Sequence, residues 1–431
     1  MMNKFILLLF TFTSVLAKSQ QNGNDSSFVK AKALFDQSRY NESIAAFSQL
    51  ISQQPELSDA YFYRAHAETE LALYQKALED YNQAIRIAGA KTNFLYSRAN
   101  CYTELGRYEE ALADYNAVLQ NQPKDTDCIY ARALMFFLAE DHKSALRDCD
   151  ALAELYSNYP DLYTLRGNVK VELRLFKEAT SDYSRSLLQN PNDTNLYYLR
   201  GLAYFDSESF KEAITDFSKA ISLKSSEPDF YFDRAKAYCA INEIQNGLAD
   251  FAKALELNPN LSYVYLERAY VMADQKKNKK AIEDLNLAVR LDTTLAEAYF
   301  FRATLRAEGK KYKDALADYT QCLKLDPKNK EVYYERGNCK HEMKKFLEAI
   351  QEFNKAIALD STNADYYYAR ALSKHKLRKY QEALTDFHLA IKINAQVAEY
   401  FYGRGNAYLA LGQKKEYELD YKRAKELEKS R

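Results

Sequence analysis

From residue 24 onward the chain repeats itself every 34 residues, with no insertion or deletion. A step of 34 from Ala31 meets Ala65, Ala99, Ala133, Gly167, Gly201, Ala235, Ala269, Ala303, Gly337, Ala371 and Gly405, all of them Ala or Gly. The same step from Phe47 meets Tyr81, Tyr115, Cys149, Tyr183, Phe217, Phe251, Leu285, Tyr319, Phe353, Phe387 and Tyr421. A period of this length constrains the fold more than any composition can. Each copy is one supersecondary unit that cannot bury its apolar face alone, so copies must stack. The units run 24–57, 58–91, 92–125, 126–159, 160–193, 194–227, 228–261, 262–295, 296–329, 330–363, 364–397 and 398–431. Inside 296–329 the apolar positions Tyr299, Phe300, Ala303, Leu305, Ala315, Leu316, Tyr319, Cys322 and Leu323 fall on two helical stripes. Each unit therefore reads as two antiparallel helices, A and B, with the small residue of A letting B approach. With only 11 Gly and 7 Pro, the chain is too poor in turn-formers for a turn-dense all-β fold.

Residues 1–17 stand outside the repeat. One lysine, an apolar run from Phe5 to Leu16 and a small-residue ending at Ala17 match a secretory signal peptide. The run is shorter than the ~20 residues needed to span a bilayer. Residues 18–23 are a short lead. The expectation is an exported protein, periplasmic or secreted, with no integral membrane segment after cleavage. With 60 basic and 60 acidic side chains the formal charge is zero, which argues against a nucleic-acid partner.

The tenth unit, from Glu331-Val-Tyr-Tyr-Glu-Arg-Gly337 through Phe346, Ala349-Ile350, Phe353, Ala356-Ile357 and Leu359-Asp360, resembles the tetratricopeptide repeat family almost position for position. The resemblance covers 24–431. It implies an all-α fold, a right-handed superhelical α-solenoid of twelve helix-turn-helix repeats of 34 residues. The units that depart from the pattern are the expected soft points: the fourth with His142 and Cys149, the seventh with Gly247, and the eighth with Asn278. Helix B of the last unit carries Lys414, Glu418 and Lys425 where earlier units are apolar, which suits a terminal cap facing water.

The resemblance also implies that A helices line a concave groove, with ligand contacts at the second, fifth, ninth, twelfth and thirteenth positions of each unit. The fifth position supplies Phe62, Tyr96, Tyr130, Tyr198, Phe232, Phe300, Tyr334, Tyr368 and Tyr402 as candidate binding residues. The thirteenth supplies Glu70, Glu104, Glu172, Asp206, Asp274, Glu308 and Glu342. A carboxylate there lies near the end of helix A, where the helix dipole prefers cations, so it has no capping role. Second-position acids such as Asp59, Asp161, Asp229 and Asp365 open helix A and read as caps. The alternative for the aromatics is packing between neighbouring helices, with the acids a solvated edge. Asn100, Asn168, Asn338 and Asn406 stand at the ninth position, but the lysines of the family's carboxylate clamp are missing, which disfavours an acidic chain terminus as ligand.

A second row is structural. The seventh position is Lys30 and then eleven arginines, and every unit with Arg has an acid sixteen residues on. Arg64–Asp80, Arg200–Asp216 and Arg336–Glu352 represent these pairs; Lys30 meets Ala46 instead. A guanidinium fork can hold a carboxylate across two helices, which Lys does less well. His341 and His375 share a slot in adjacent units without completing a tetrahedral metal set, and the six cysteines mostly replace small or apolar residues of the pattern. No nucleophile elbow, P-loop or dinucleotide fingerprint is present. The first functional reading is thus a non-catalytic, exported interaction scaffold. It would bind other proteins or peptides, cationic or neutral extended segments, along an aromatic and acidic groove. The alternatives are a carbohydrate- or small-ligand-binding envelope component and a self-associating envelope structural element. No enzyme activity, cofactor or metal is expected, and the oligomeric state stays open.

Overall fold

The computed structural model describes residues 26–429. The signal peptide (1–17) and short lead (18–23) expected from the sequence lie outside the described residues. The chain divides into two compact units, one ending at Lys224 and the other beginning at Ser225. The first holds α1 (Ser26–Asp36), α2 (Tyr40–Gln53), α3 (Ser58–Glu70), α4 (Tyr74–Ala88), α5 (Thr92–Glu104), α6 (Tyr108–Asn121), α7 (Thr126–Leu138), α8 (His142–Leu155), α9 (Leu162–Glu172), α10 (Phe176–Gln189), α11 (Thr194–Asp206) and α12 (Phe210–Leu223). The second holds α13 (Pro228–Ala240), α14 (Ile244–Leu257), α15 (Ser262–Asp274), α16 (Asn278–Leu291), α17 (Ala296–Glu308), α18 (Tyr312–Leu325), α19 (Lys330–Glu342), α20 (Phe346–Leu359), α21 (Ala364–Lys376), α22 (Tyr380–Ile393), α23 (Ala398–Ala410) and α24 (Lys414–Lys429). The architecture is all-α, in consecutive helix-turn-helix pairs, and among the described residues there is no strand.

The turns follow from local chemistry. Every helix A stops because the fifteenth residue of its unit adopts positive φ, from Ser38 at 58° to Gly412 at 78°. The next amide then reaches back into the helix, as when Arg39 N–H donates to the Leu34 carbonyl at 2.9 Å. Six of the seven prolines, among them Pro55, Pro123 and Pro327, lie in the B-to-A connections, where a proline cannot continue the helix, and Pro228 opens α13. The capping expectation needs correction. Where a side chain caps helix A, it is that of the residue before the helix, not the second-position acid. Asp125, Asp193, Asn329 and Asn363 accept the first-turn amides of α7, α11, α19 and α21. Asp161 sits ahead of its helix in the left-handed region, at φ 56° with no capping bond, so α9 starts two residues into its unit. Pro160 biases Tyr159 away from helical backbone, and the Tyr159 hydroxyl is held by Asp127 at 2.8 Å.

The core of each pair is the small residue of A under the aromatic of B. Phe47, Tyr81, Tyr115, Tyr183, Phe217, Phe251, Tyr319, Phe353 and Phe387 are all essentially sealed from solvent, and each such ring contributes roughly 1.5–3 kcal/mol by burial. At Gly167, Gly201 and Gly337 the ring sits so close that an added Cβ would lie 2.6–2.7 Å from it. The seventh-unit glycine is a fit rather than a gap: a Cβ on Gly247 would meet Cys239 Sγ at 2.5 Å and the Ala235 carbonyl at 3.0 Å. α24 exposes Lys414, Glu418 and Lys425 and buries Asp420, Ala424 and Leu427, so its outer face is polar. No helix of the described residues is long and apolar enough to cross a membrane.

Candidate functional site

The arginine row is the most regular construction in the molecule. In ten of the eleven arginine units Nε and Nη2 each donate to a separate oxygen of the helix-B aspartate, as in Arg64–Asp80 at 2.6 and 2.8 Å and Arg200–Asp216 at 2.6 and 2.8 Å. The tenth unit differs. Arg336 gives both bonds to one oxygen of Glu352, at 3.1 and 2.7 Å, and Lys340 takes the other at 2.7 Å. Burial pushes the Glu352 carboxyl up, but the bonds from Lys340 and Arg336 outweigh it and hold the group below its ordinary range. The third guanidinium nitrogen reaches the B helix of the preceding pair, as in Arg64 to Ser48 at 2.9 Å, Arg98 to Asn82 at 2.7 Å and Arg370 to Asn354 at 2.7 Å. Each such arginine therefore clips three helices. That link was legible as a polar residue at the twenty-fifth position of most units. In nine of the eleven arginine units position four completes the cradle with a ring beside the guanidinium, as Tyr197 does for Arg200 at 5.6 Å.

The fifth-position aromatics are half-buried. Phe62, Tyr96, Tyr198, Phe232, Phe300, Tyr334, Tyr368 and Tyr402 rest on the core ring of their own helix B, centroids 5.5–6.3 Å apart. Tyr130 has no such ring beneath it, since Cys149 occupies that slot, and leans on Tyr159 at 5.1 Å. Neighbouring units add contacts: Phe62 to Phe94 at 4.7 Å, Tyr334 to Tyr366 at 5.0 Å, Tyr368 to Tyr400 at 5.0 Å. Tyr402 is also tied by its hydroxyl to Glu428 at 3.0 Å. These rings are therefore packed against neighbours and only partly exposed.

The thirteenth-position acids Glu70, Glu104, Glu172, Asp206, Asp274, Glu308 and Glu342 are all exposed. Some are nonetheless engaged by the preceding unit. Tyr40 lies near Glu70 and Tyr74 near Glu104, and Asn278 donates to Glu308 at 3.4 Å. Partial burial raises the Glu70 and Glu104 carboxyls, and the nearby tyrosine hydroxyls oppose it. Asp229 and Asp365 bridge units, accepting from Tyr263 and Tyr400, while Asp127 accepts from Tyr159 at the end of its own unit and Asp59 faces Lys91 at the end of its own at 3.7 Å.

In the second unit these rows converge on a concavity of about 460 Å³ between α17 and α19. Phe300, Tyr312 and Tyr319 form its apolar wall; Thr304, Asn338, Glu308, Glu335 and Glu342 supply polar atoms. The fifth, ninth, twelfth and thirteenth positions of one unit thus share a single depression. Glu335 was missed by sequence reasoning. It stands at the sixth position, where most units are apolar and only Asp233 and Glu267 are also acidic. Burial raises the Glu335 carboxyl, and the nearby Asn338 amide pulls it back. Three carboxylates around an aromatic wall form a site suited to a cation.

His341 is bonded to Ser373 at 2.8 Å, and His341 and His375 each lie edge-on to a ring, Phe346 and Tyr380. All six cysteines are unpaired, and burial pushes the Cys101, Cys128, Cys149, Cys322 and Cys339 thiols up to about 12, which keeps them protonated.

Sequence models described as "Tetratricopeptide repeat" match residues 28–93, 93–125, 296–329, 318–351 and 364–397, and models described as "TPR repeat" match 201–241 and 337–378. The chain belongs to the tetratricopeptide repeat family, and its coarse role is that of a protein-interaction scaffold. No curated protein matches it. Among solved structures it is similar to YrrB, "a TPR protein with an unusual peptide-binding site", at 22% identity over 44% of this chain and 97% of that one, with a TM-score of 0.41. A tetratricopeptide repeat protein from Parabacteroides merdae ATCC 43184 matches at 21% identity over 57% of this chain and 100% of that one, TM-score 0.43. Yeast Tom70 matches at 17% identity over 93% and 91%, TM-score 0.37.

Proposed function

We propose that the chain is a non-catalytic scaffold that holds an extended polypeptide segment against its A helices, with a lysine or arginine of that segment in the depression between α17 and α19. The observation that carries this reading is the set of three carboxylates, Glu308, Glu335 and Glu342, around the wall of Phe300, Tyr312 and Tyr319. A cation over aromatic faces beside carboxylates gains from both, and the exposed acids make the attraction sensitive to salt. Binding should fade as pH falls through the raised range of Glu335. The N-terminal sequence supports export, so the partner would be met outside the cytoplasm; N-terminal sequencing of the mature protein tests that part.

Fluorescence anisotropy with labelled extended peptides, one lysine-rich and one glutamate-rich, tests the groove. The lysine-rich peptide should bind, and Glu308→Lys/Glu342→Lys should abolish its binding while leaving the circular dichroism melt in place. Equal binding of both peptides, or binding indifferent to the double substitution, would sink the reading.

A further inference from the structure

The A-to-B turns of the two units carry opposite charge. The window from the thirteenth to the nineteenth position covers the end of helix A, the turn and the start of helix B. In the six windows between Asp36 and Glu212 there are seven basic and thirteen acidic side chains, leaving six negative charges. In the six between Ala240 and Glu416 there are fourteen basic and eight acidic, leaving six positive charges. The B-to-A turns show no such split. Over five of them in each unit, two basic side chains face six acidic in the first and seven in the second. The division belongs to one edge only, and the zero net charge of the chain hides it.

Geometry makes each set a continuous edge. Within each unit successive A helices touch, α3 with α5 and α5 with α7, α17 with α19 and α19 with α21. Their turns therefore follow one another along one side of that unit. In the second unit Lys276, Lys310, Lys344 and Arg378 occupy the turn position with φ of 58–61°, and the residue after each is lysine. All eight are exposed. This backbone conformation favours Gly or Asn, which Gly412 and Asn242 supply in the same unit, so the cations are kept against local preference. The first unit places Glu140 and Glu208 at the same position, with φ of 60° and 61°. Local pairing consumes part of the basic edge, Lys345 with Glu348 and Lys379 with Glu382, both at 3.2 Å. Lys276, Lys310 and Lys344 make no ion pair among the described residues.

We propose that the basic A-to-B edge of the 225–431 unit docks on the acidic A-to-B edge of the 26–224 unit of a second copy of this chain. The argument is charge complementarity: two edges of one architecture, equal in excess charge and opposite in sign, on every molecule. The contact is heterologous, since different surfaces meet, and a bound pair still offers one free edge of each sign, so association extends beyond a dimer. Lysines are strongly hydrated point charges, and exposed pairs are screened within a Debye length, so the assembly forms at low salt and dissolves at high salt. The edge borders the groove between α17 and α19, sharing Glu308, Tyr312 and Glu342 with it, whereas Lys276, Lys310 and Lys344 do not line that groove.

Sedimentation velocity on the full chain tests it. Larger species are expected in low-salt buffer and a single monomer boundary in molar salt. Lys276→Glu/Lys310→Glu/Lys344→Glu should be monomeric at low salt, with the association constant down about tenfold or more. Glu140→Lys/Glu208→Lys should behave likewise. A mixture of the two variants should associate again, one to one, because the first keeps the native acidic edge and the second the native basic edge. Glutamate and lysine both already occupy this turn conformation in the native chain, so melts should be unchanged. A wild-type monomer at low salt overturns the proposal, as does a mixture that fails to associate. Binding of heparin by a chain that stays monomeric also overturns it, and assigns the basic edge to an anionic partner instead.

Discussion

Arg200 shows what a single side chain does in this fold. Its guanidinium bonds both oxygens of Asp216, reaches Ser184 at 2.8 Å and lies beside Tyr197. Across the row the arginine side chains are 11–22% exposed and their acids 2–12%, which decides in favour of a largely buried pair. Arg200→Ala should therefore destabilise by roughly 3–5 kcal/mol, because Asp216 is left charged and unpaired. Urea denaturation checks it; an unchanged midpoint with lost partner binding would make the row functional instead. Glu68 is the misfit of the same construction. At its position Lys170, Arg306, Lys340 and Lys374 donate to the helix-B acid at 2.6–2.8 Å. Glu68 puts a carboxylate beside Asp80 instead, with a buried oxygen that has no partner. Burial, then Asp80, pushes its pKa up to about 7, Arg64 opposing. In the unfolded chain a glutamate titrates near ~4.3, so between that value and about 7 the folded state binds more protons, and stability falls as pH rises. Glu68→Gln should remove that slope and stabilise the protein at pH above 7 by roughly 1–3 kcal/mol. Denaturation curves on either side of the window check it, and an equal effect at both would refute the titration.

At the scale of elements, the close approach of A and B depends on which ring faces the small residue. Gly201 faces Phe217, and a Cβ there would sit 2.7 Å from the ring. Gly405 occupies the same slot in the last unit but would meet only Asp420 Cβ and Tyr417 at 3.4 Å, ordinary contact. The core ring has swung out there: Tyr421 is 43% exposed, with no further described helix to pack under. Gly201→Ala should therefore destabilise by roughly 1–3 kcal/mol through overpacking, while Gly405→Ala should stabilise by roughly 0.5–1 kcal/mol through helix propensity. Thermal melts of the two variants should move in opposite directions. The periodicity announced helices, pairs and small-residue slots, because those depend on spacing along one chain. It assigned the caps to the wrong residue, because a second-position carboxylate such as Asp365 is drawn away by Tyr400 of the next unit, a contact that exists only after stacking.

At the scale of the molecule, contacts run between neighbours, so stability is close to a sum over pairs and their junctions. The 225–431 unit should fold by itself, with a helical spectrum and a cooperative melt; a flat, non-cooperative trace from the isolated unit would contradict its compactness. The same locality explains why the groove was half legible. Phe300, Glu308 and Glu342 follow from position in the repeat, whereas Glu335 enters the depression only because α19 is turned against α17.

The sequence by itself determined the twelvefold repeat, the all-α class, the family and the Arg–acid row, since each is a matter of residue type at fixed spacing. Tertiary structure decided which of those residues are spent on packing and which still face outward. It tied Arg64 to a third helix, left the fifth-position rings half-buried, and gathered three carboxylates into one depression. The physical reason is that burial and pairing are properties of neighbours on other helices, often sixteen or more residues away. Their angle and distance are set by how the helices pack, not by the period that repeats them.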